Sequence, residues 1–197
     1  MYKRRRQESD PFTDLLFNAL LGFTFLFLVA IMFMNPDAKS GLIDPKAEYI
    51  LTITWEDNSP DDIDTWVEDP DGQVIWFRAP EAGLLHLDRD DRGLLNDTID
   101  INGETIQNPL NQEVVTIRGV VKGEYVVNLH YYATETSKPV DVNVRLVKVN
   151  PALEVIYYGI VNLEKAGDEK TALRFKIGGD GKIYGLNFLP KKLVSFE

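Results

Sequence analysis

Hydrophobic residues are arranged in two ways along this chain, and each arrangement predicts a different element. From Leu15 to Met34 no side chain is charged, and only Asn18 and Thr24 are polar. A helix of this length rises roughly 30 Å, which is the thickness of the hydrocarbon core of a bilayer. From Ala47 onward apolar and polar residues alternate, as in strands with one buried face. The pattern predicts a single N-terminal transmembrane α-helix followed by an all-β domain.

Local signals define where the predicted helix begins and ends. Ser9 or Asp10 can serve as the N-cap, and Pro11 suits the first helical position because its missing N–H would have no partner there. The Asn35-Pro36 pair ends the helix. These signals divide the chain into a basic tail (1–10), a transmembrane helix (11–35), a linker (36–46) and a β domain (47–197).

Short strand patterns separated by turn sequences fill the C-terminal domain. The turns include Asp69-Pro70-Asp71-Gly72 and Gly178-Gly179-Asp180-Gly181, which are rich in residues that favour turns. We expect about eight to ten strands, few helices and therefore an antiparallel β-sandwich. The strand patterns cover residues 49–55, 73–77, 114–118, 124–132, 140–149, 154–163, 171–177 and 182–188.

Charge is distributed unevenly along the chain, which has 21 basic and 31 acidic residues and a net charge of −10. Four basic residues (3–6) precede the helix, whereas the chain after Asn35 has 17 basic and 28 acidic residues, a net of −11. The positive-inside rule therefore predicts a single-pass protein of the bacterial inner membrane with a cytoplasmic N-terminus and a periplasmic domain. Nucleic acid and anionic lipid would be repelled by so acidic a domain, so neither is an expected ligand.

Several other functions are disfavoured by the sequence. A cleaved signal peptide would have an apolar core of about 7 to 15 residues followed by small residues, but this core is longer and closes on Met34-Asn35-Pro36. The lack of cysteine excludes disulfides, thiolate metal sites and a cysteine nucleophile, and it fits any compartment. His86 and His130 lie 44 residues apart, and no nucleophile–base pair or glycosidase-like carboxylate pair can be identified, so we expect no enzymatic activity.

Asp14 has the strongest functional implication, because a carboxylate at the mouth of a membrane helix is costly and is usually retained for function. Asp14, Asn18 and Gly22 share one stripe of the helix at i, i+4 and i+8, and the opposite side is apolar. The alternative is a first-turn acid at headgroup level, favoured by the helix dipole. Against it, Phe12 begins the apolar zone before Asp14, Asp10 fills the capping role, and Asn18 continues the polar stripe.

The combination of a basic tail, Pro-x-x-Asp (Pro11 and Asp14), a lone apolar helix and a far-side domain resembles the MotB, ExbD and TolR family of stator subunits. In that family two copies of the helix lie inside a ring of five polytopic subunits of the MotA, ExbB or TolQ kind. The resemblance implies a homodimer in which Asp14 binds a transported H⁺ or Na⁺, with no other required cofactor. Thr13 and Asn18 are then candidates for orienting the ion or its water.

The resemblance also implies a function, namely an ion-conducting stator that uses the proton or sodium motive force to drive rotation or mechanical work on the cell envelope. It ends with the helix, since neither an OmpA-like pattern nor the small ExbD-type α/β domain follows. The alternative from another class is a passive single-pass anchor that displays a β-sandwich for binding or adhesion. A third interpretation is a calcium-dependent structural module that the helix only tethers.

Acidic residues cluster in the β domain, and residues 62–72 read Asp-x-Asp-x-Trp-Val-x-Asp-Pro-Asp-Gly. This series is similar to the signature of a poorly characterised family of bacterial secreted β-sandwich domains, a resemblance that implies a fold and no activity. Loop carboxylates at one end of a sandwich can hold a structural Ca²⁺, although the spacing is not that of an EF-hand. The alternative is an acidic surface neutralised by Arg89 and Arg92. The candidate ligands are Asp62, Asp64, Asp69, Asp71, Asp88, Asp90 and Asp91.

Aromatic residues recur at strand spacing in the β domain, among them Trp66, Trp76, Tyr131 and Tyr132. Because aromatic side chains fill the core and the faces of most sheets, we expect these residues to pack within the sandwich. A carbohydrate-binding platform is the less favoured interpretation of the same spacing.

Overall fold

A computed structural model of the protein describes residues 10–34, 47–94 and 97–194. The chain divides into an N-terminal unit (Met1–Asp44) and a C-terminal unit (Pro45–Glu197). The predicted linker, residues 36–46, and all of the basic tail except Asp10 lie outside the described residues.

The described residues of the N-terminal unit form one α-helix, α1, from Pro11 to Met34. Asp10 caps it, since its carboxylate accepts hydrogen bonds from the Phe12 backbone N–H (3.1 Å) and from the Thr13 hydroxyl (2.8 Å). Within the described part of the chain, α1 is the only helix with the length and apolarity to cross a membrane. It is therefore compatible with a single-pass anchor.

The C-terminal unit is built from antiparallel strands, and every strand pair in it is antiparallel. One sheet has the order β11-β10-β1-β8-β5-β4, a second has the order β13-β12-β9-β2-β3, and β6 and β7 form a separate hairpin. The strands are β1 (Tyr49–Thr54), β2 (Asp62–Glu68), β3 (Val74–Ile75), β4 (Glu81–Ala82), β5 (Leu85–Arg89), β6 (Thr98–Ile101), β7 (Glu104–Gln107), β8 (Gln112–Ile117), β9 (Gly123–Ala133), β10 (Val140–Lys148), β11 (Glu154–Leu163), β12 (Glu169–Ile177) and β13 (Ile183–Asn187).

The core lies between the two large sheets. In β1 every second residue is buried, so Leu51 and Ile53 face inward while the residues between them are half-buried. From the second sheet, Leu129 of β9 and Phe175 of β12 join the same apolar cluster, and Phe175 stacks on Tyr125 with ring centroids 5.2 Å apart. The predicted fold class, one N-terminal apolar helix followed by an antiparallel β-sandwich, is confirmed.

Most of the predicted strands are found with small changes of boundary, but the described residues contain 13 strands rather than eight to ten, because the short strands β4 to β7 were not predicted. Two further features differ. Only Val74 and Ile75 of the pattern 73–77 form a strand, because Trp76 bonds back to Ala79 and closes a turn. Residues 62–68, interpreted from their acids as loop, form the strand β2 beside β9. Asp62 and Asp64 are therefore strand residues, and the turn 69–72 joins β2 to β3 as expected.

Candidate functional site

At the start of α1, Asp10 and Asp14 have different roles, because Asp10 makes the capping contacts. Asp14 donates its backbone N–H to the Asp10 carbonyl (3.1 Å), as any first-turn residue does. Its carboxylate has no hydrogen-bond or ion-pair partner among the described residues, and the same holds for the Asn18 amide one turn further along. The Thr13 hydroxyl, in contrast, is engaged by Asp10. Asp14 and Asn18 thus keep polar groups available on one stripe of an otherwise apolar helix.

In the C-terminal unit, three carboxylates from separate parts of the chain converge, and two of them (Asp64 and Glu113) are buried while Asp90 is exposed. Asp64 lies in β2 of the second sheet, Glu113 lies in β8 of the first sheet, and Asp90 directly follows β5, the neighbour of β8. One oxygen from each of the three carboxylates lies within 4.8 Å of the other two. These three residues form what we call the acidic cluster.

Glu113 is the most unusual member of the acidic cluster, because its side chain is fully buried at 0% exposure. Neither of its carboxylate oxygens has a hydrogen-bond partner of good geometry within the described chain. Burial raises the pKa of Glu113 well above its ordinary value of 4.5, and the nearby Asp64 and Asp90 charges add to this rise, while Thr65 partly opposes it. A buried, unpartnered carboxylate of this kind is costly unless it is protonated or meets a cation.

Two further acids border the acidic cluster. Burial, followed by the neighbouring charges of Asp64 and Asp90, raises the pKa of Asp62 to about 7. Asp91 is 5% exposed, and it accepts hydrogen bonds from the Arg89 guanidinium (2.8 Å) and from the Gln112 backbone N–H (3.1 Å). These bonds tie the segment after β5 to the start of β8, so Asp91 has a structural role.

Two basic groups lie within 4 Å of acids of the cluster. Nε of Arg92 lies 3.5 Å from Oδ2 of Asp90, and Nδ1 of His130 lies 3.6 Å from Oδ2 of Asp64. Within the described ranges, no basic side chain forms an ion pair with Glu113. The buried part of the cluster, formed by Glu113 and Asp64, is therefore strongly negative when both acids are ionised.

The other acids of the predicted ligand set have different surroundings. Oδ1 of Asp69 accepts the backbone N–H groups of Asp71 (2.9 Å) and Gln73 (2.8 Å) and so closes the turn after β2. This turn lies at the opposite end of β2 from Asp62, roughly 20 Å away at about 3.3 Å per residue. Asp88 pairs with Arg118 at 2.7 Å. The structure thus groups Asp62, Asp64, Asp90 and Asp91 and places Asp69, Asp71 and Asp88 in other contacts.

Glu113 did not emerge from the sequence as a candidate site residue. It lies 49 residues from Asp64 in the chain, and only the packing of the two sheets brings them together. One signal was available, because Glu113 shares the inward parity of Val115 and Ile117 in β8. An acid at an inward strand position is rare and points to a special environment.

An aromatic cleft with a volume of about 500 Å³ lies beside the acidic cluster. Asp64 and His130 line it together with Trp66 and Trp76, whose rings stack with centroids 4.5 Å apart. The Arg78 guanidinium lies 5.6 Å from the centroid of the Trp76 ring. Both tryptophans therefore line a cleft. Other residues that line it are Val74, Phe77, Tyr132, Leu193 and Val194.

These two sites suit different ions. Asp14 offers a single carboxylate, which can bind one proton or one monovalent cation, whereas the acidic cluster offers several oxygen donors, which hard divalent cations prefer. Comparison with models of protein families, with curated proteins and with solved structures found no match to this chain.

Proposed function

We propose that the protein is an ion-conducting stator subunit of a membrane motor. In this proposal Asp14 binds and releases H⁺ or Na⁺, and the β-sandwich receives or transmits the resulting movement on the cell envelope. The observation that carries the proposal is that Asp10, and not Asp14, makes the capping contacts at the start of α1. Because Asp10 makes the cap, the Asp14 carboxylate is not needed to stabilise the helix. A polar group retained there without a structural role is best explained by function.

The proposed assembly contains two copies of this chain inside a pentamer of polytopic subunits of the MotA, ExbB or TolQ kind. Helix α1 can supply only a narrow polar stripe, so the remaining walls of an ion path must come from partner helices. The basic residues 3–6 and the acidic C-terminal domain support a cytoplasmic N-terminus in the bacterial inner membrane and a sandwich in the periplasm.

The free energy released when an ion crosses the membrane is large enough to drive mechanical work in this arrangement. A carboxyl group enclosed by apolar helices prefers its neutral, ion-bound form, and it ionises where water reaches it. Each elementary charge that crosses a potential of 100 mV releases about 2.3 kcal/mol. Alternate neutralisation of Asp14 in the two copies would change which subunit of the ring each copy prefers, and this alternation would produce rotation.

The proposal is tested by purifying the protein in detergent from membranes of the cells that carry it. Native mass spectrometry should find a complex in which two chains of 22.4 kDa are joined to five copies of a polytopic subunit. In proteoliposomes this complex should conduct H⁺ or Na⁺, and Asp14→Asn should abolish the flux. Asp10→Asn is the matched control, because asparagine also caps helices well and the same change of charge occurs four residues away. A chain that purifies without a polytopic partner would contradict the proposal.

A second candidate function is a tethered binding domain, and the aromatic cleft beside Asp64 is the observation that favours it. Stacked tryptophans next to polar groups are typical of sites for flat or ring-shaped ligands. In this case α1 only anchors the sandwich, the chain purifies without a polytopic partner, and Asp14→Asn leaves its cellular function unchanged. The same purification therefore separates the two candidates.

A further inference from the structure

The acidic cluster of Asp64, Asp90 and Glu113 lies in the C-terminal unit and is independent of what α1 does. Asp64 comes from one sheet, Glu113 comes from the other sheet, and Asp90 comes from the segment after β5. We propose that these three carboxylates hold one divalent cation of the calcium type, which joins the two sheets of the sandwich.

The buried end of the cluster supplies the reason for a cation. Glu113 is fully enclosed, Thr65 is the one donor that influences it and makes no hydrogen bond of good geometry within the described residues, and one Glu113 oxygen lies within 4.8 Å of oxygens of Asp64 and Asp90. Asp64 is itself only 4% exposed. Ionising both Glu113 and Asp64 in the interior costs several kcal/mol unless a proton or a cation compensates the charge. A divalent cation bound by all three carboxylates supplies that compensation.

The basic side chains nearby cannot replace the cation. Arg92 lies on the Asp90 side and is more than half exposed, and His130 lies on the Asp64 side. Arg89 is already used by Asp91 and by the Leu110 carbonyl, at 2.8 and 2.9 Å. Neither arginine forms an ion pair with Glu113 in the described structure, so the innermost carboxylate is left for the metal.

The donor set and the spacing select the class of cation. All three donors are carboxylate oxygens, which favour hard cations over zinc or copper. Two oxygens on opposite sides of Ca²⁺ lie up to about 4.8 Å apart at about 2.4 Å per bond, so oxygens that all lie within 4.8 Å of one another are close enough to share one Ca²⁺. Mg²⁺ demands a near-octahedral shell and usually keeps several waters, so a site built from three protein carboxylates suits Ca²⁺ better. Asp62 and water can complete the larger and less regular shell of Ca²⁺.

The test is isothermal titration calorimetry of CaCl₂ into the full chain in detergent, after treatment with EDTA and desalting. The wild-type chain should bind one Ca²⁺ with a dissociation constant of about 1 mM or tighter, and Mg²⁺ should bind at least about 10-fold more weakly. Glu113→Gln keeps the size of the side chain and should weaken Ca²⁺ binding by at least about 10-fold. Glu104→Gln makes the same chemical change on exposed β7 and should leave binding unchanged.

Three results would overturn the proposal: no stoichiometric Ca²⁺ binding by the wild-type chain, equal binding by Glu113→Gln, or binding of Mg²⁺ as tight as that of Ca²⁺. Circular dichroism in EDTA verifies that the variants are folded. Should Glu113→Gln fail to fold, Asp90→Asn decides the question, because Asp90 lies in the segment after β5 and outside the core. The assay involves neither Asp14 nor a partner subunit, so its failure would leave the proposed stator function intact.

Discussion

Replacing Glu113 by glutamine should remove a pH dependence from the stability of the sandwich when all metal is chelated. Because burial raises the pKa of Glu113 well above 4.5, the folded chain keeps a proton on this group at pH values where the unfolded chain has lost it. The unfolded state then binds fewer protons than the folded state, so the free energy of unfolding falls as the pH rises from 4.5 toward the folded pKa. Glutamine has no proton to lose and lacks this contribution.

The size of the effect follows from the complete burial of Glu113 at 0% exposure, which leaves little solvent screening. Each pH unit within the window is worth at most about 1.36 kcal/mol for one proton. Between pH 5 and pH 7 the wild-type chain should therefore lose up to about 2.5 kcal/mol of stability relative to Glu113→Gln.

Urea unfolding of the full chain in detergent, with EDTA present, measures this difference. All three tryptophans, Trp55, Trp66 and Trp76, lie in the C-terminal unit, so their fluorescence reports its unfolding without interference from α1. Unfolding curves at pH 5, 6 and 7 give the stability of each variant. Glu104→Gln should show no pH-dependent difference from the wild type.

A stability difference between the wild type and Glu113→Gln that is the same at all three pH values would refute this reasoning. Such a result would mean that Glu113 is ionised in the folded chain just as it is in the unfolded chain, so that burial does not raise its pKa.

Two further predictions concern the loops near the acidic cluster. Asp61 is 3% exposed and accepts the hydroxyls of Ser59 (2.7 Å) and Thr134 (2.5 Å), so Asp61→Ala should lower the free energy of unfolding by about 3 kcal/mol and Asp61→Asn by less, as measured by urea unfolding. Gly93 has a φ of +65°, and an added Cβ would lie 2.8 Å from the Pro60 carbonyl carbon. Gly93→Ala should therefore lower the melting temperature clearly, whereas Gly72→Ala, with a φ of +80° but open space, should lower it less.

Local signals were enough to predict α1 and the regular strands. The cap at Asp10 and Pro11 acts within one helical turn, and the alternation in β1, β9 and β10 reflects one buried face. The strand β2 was missed because Asp62 and Asp64 read as loop residues, although tertiary packing buries Asp64 within the sandwich. In such a strand the long-range contacts override the local preference of the side chains.

The acidic cluster could be predicted only in part for the same reason. Asp64 and Asp90 stand out as members of acidic runs, but their grouping with Glu113 depends on how β2 and β8 face each other across the core. Asp69 belongs to the same acidic run as Asp64, yet the length of β2 carries it to the opposite end of that strand. Sequence proximity therefore does not define a ligand set on a strand.

The most direct test of the central claim, that Asp14 carries an ion within a partner ring, is carbodiimide labelling of native membranes. Carbodiimides react with protonated carboxyl groups in apolar surroundings, and mass spectrometry of the labelled chain identifies the modified residue. We predict modification of Asp14 and not of Asp10, at a rate that falls as the pH rises or as Na⁺ is added. Absence of label at Asp14, or equal labelling of Asp10 and Asp14, would contradict the account and leave α1 as a simple anchor.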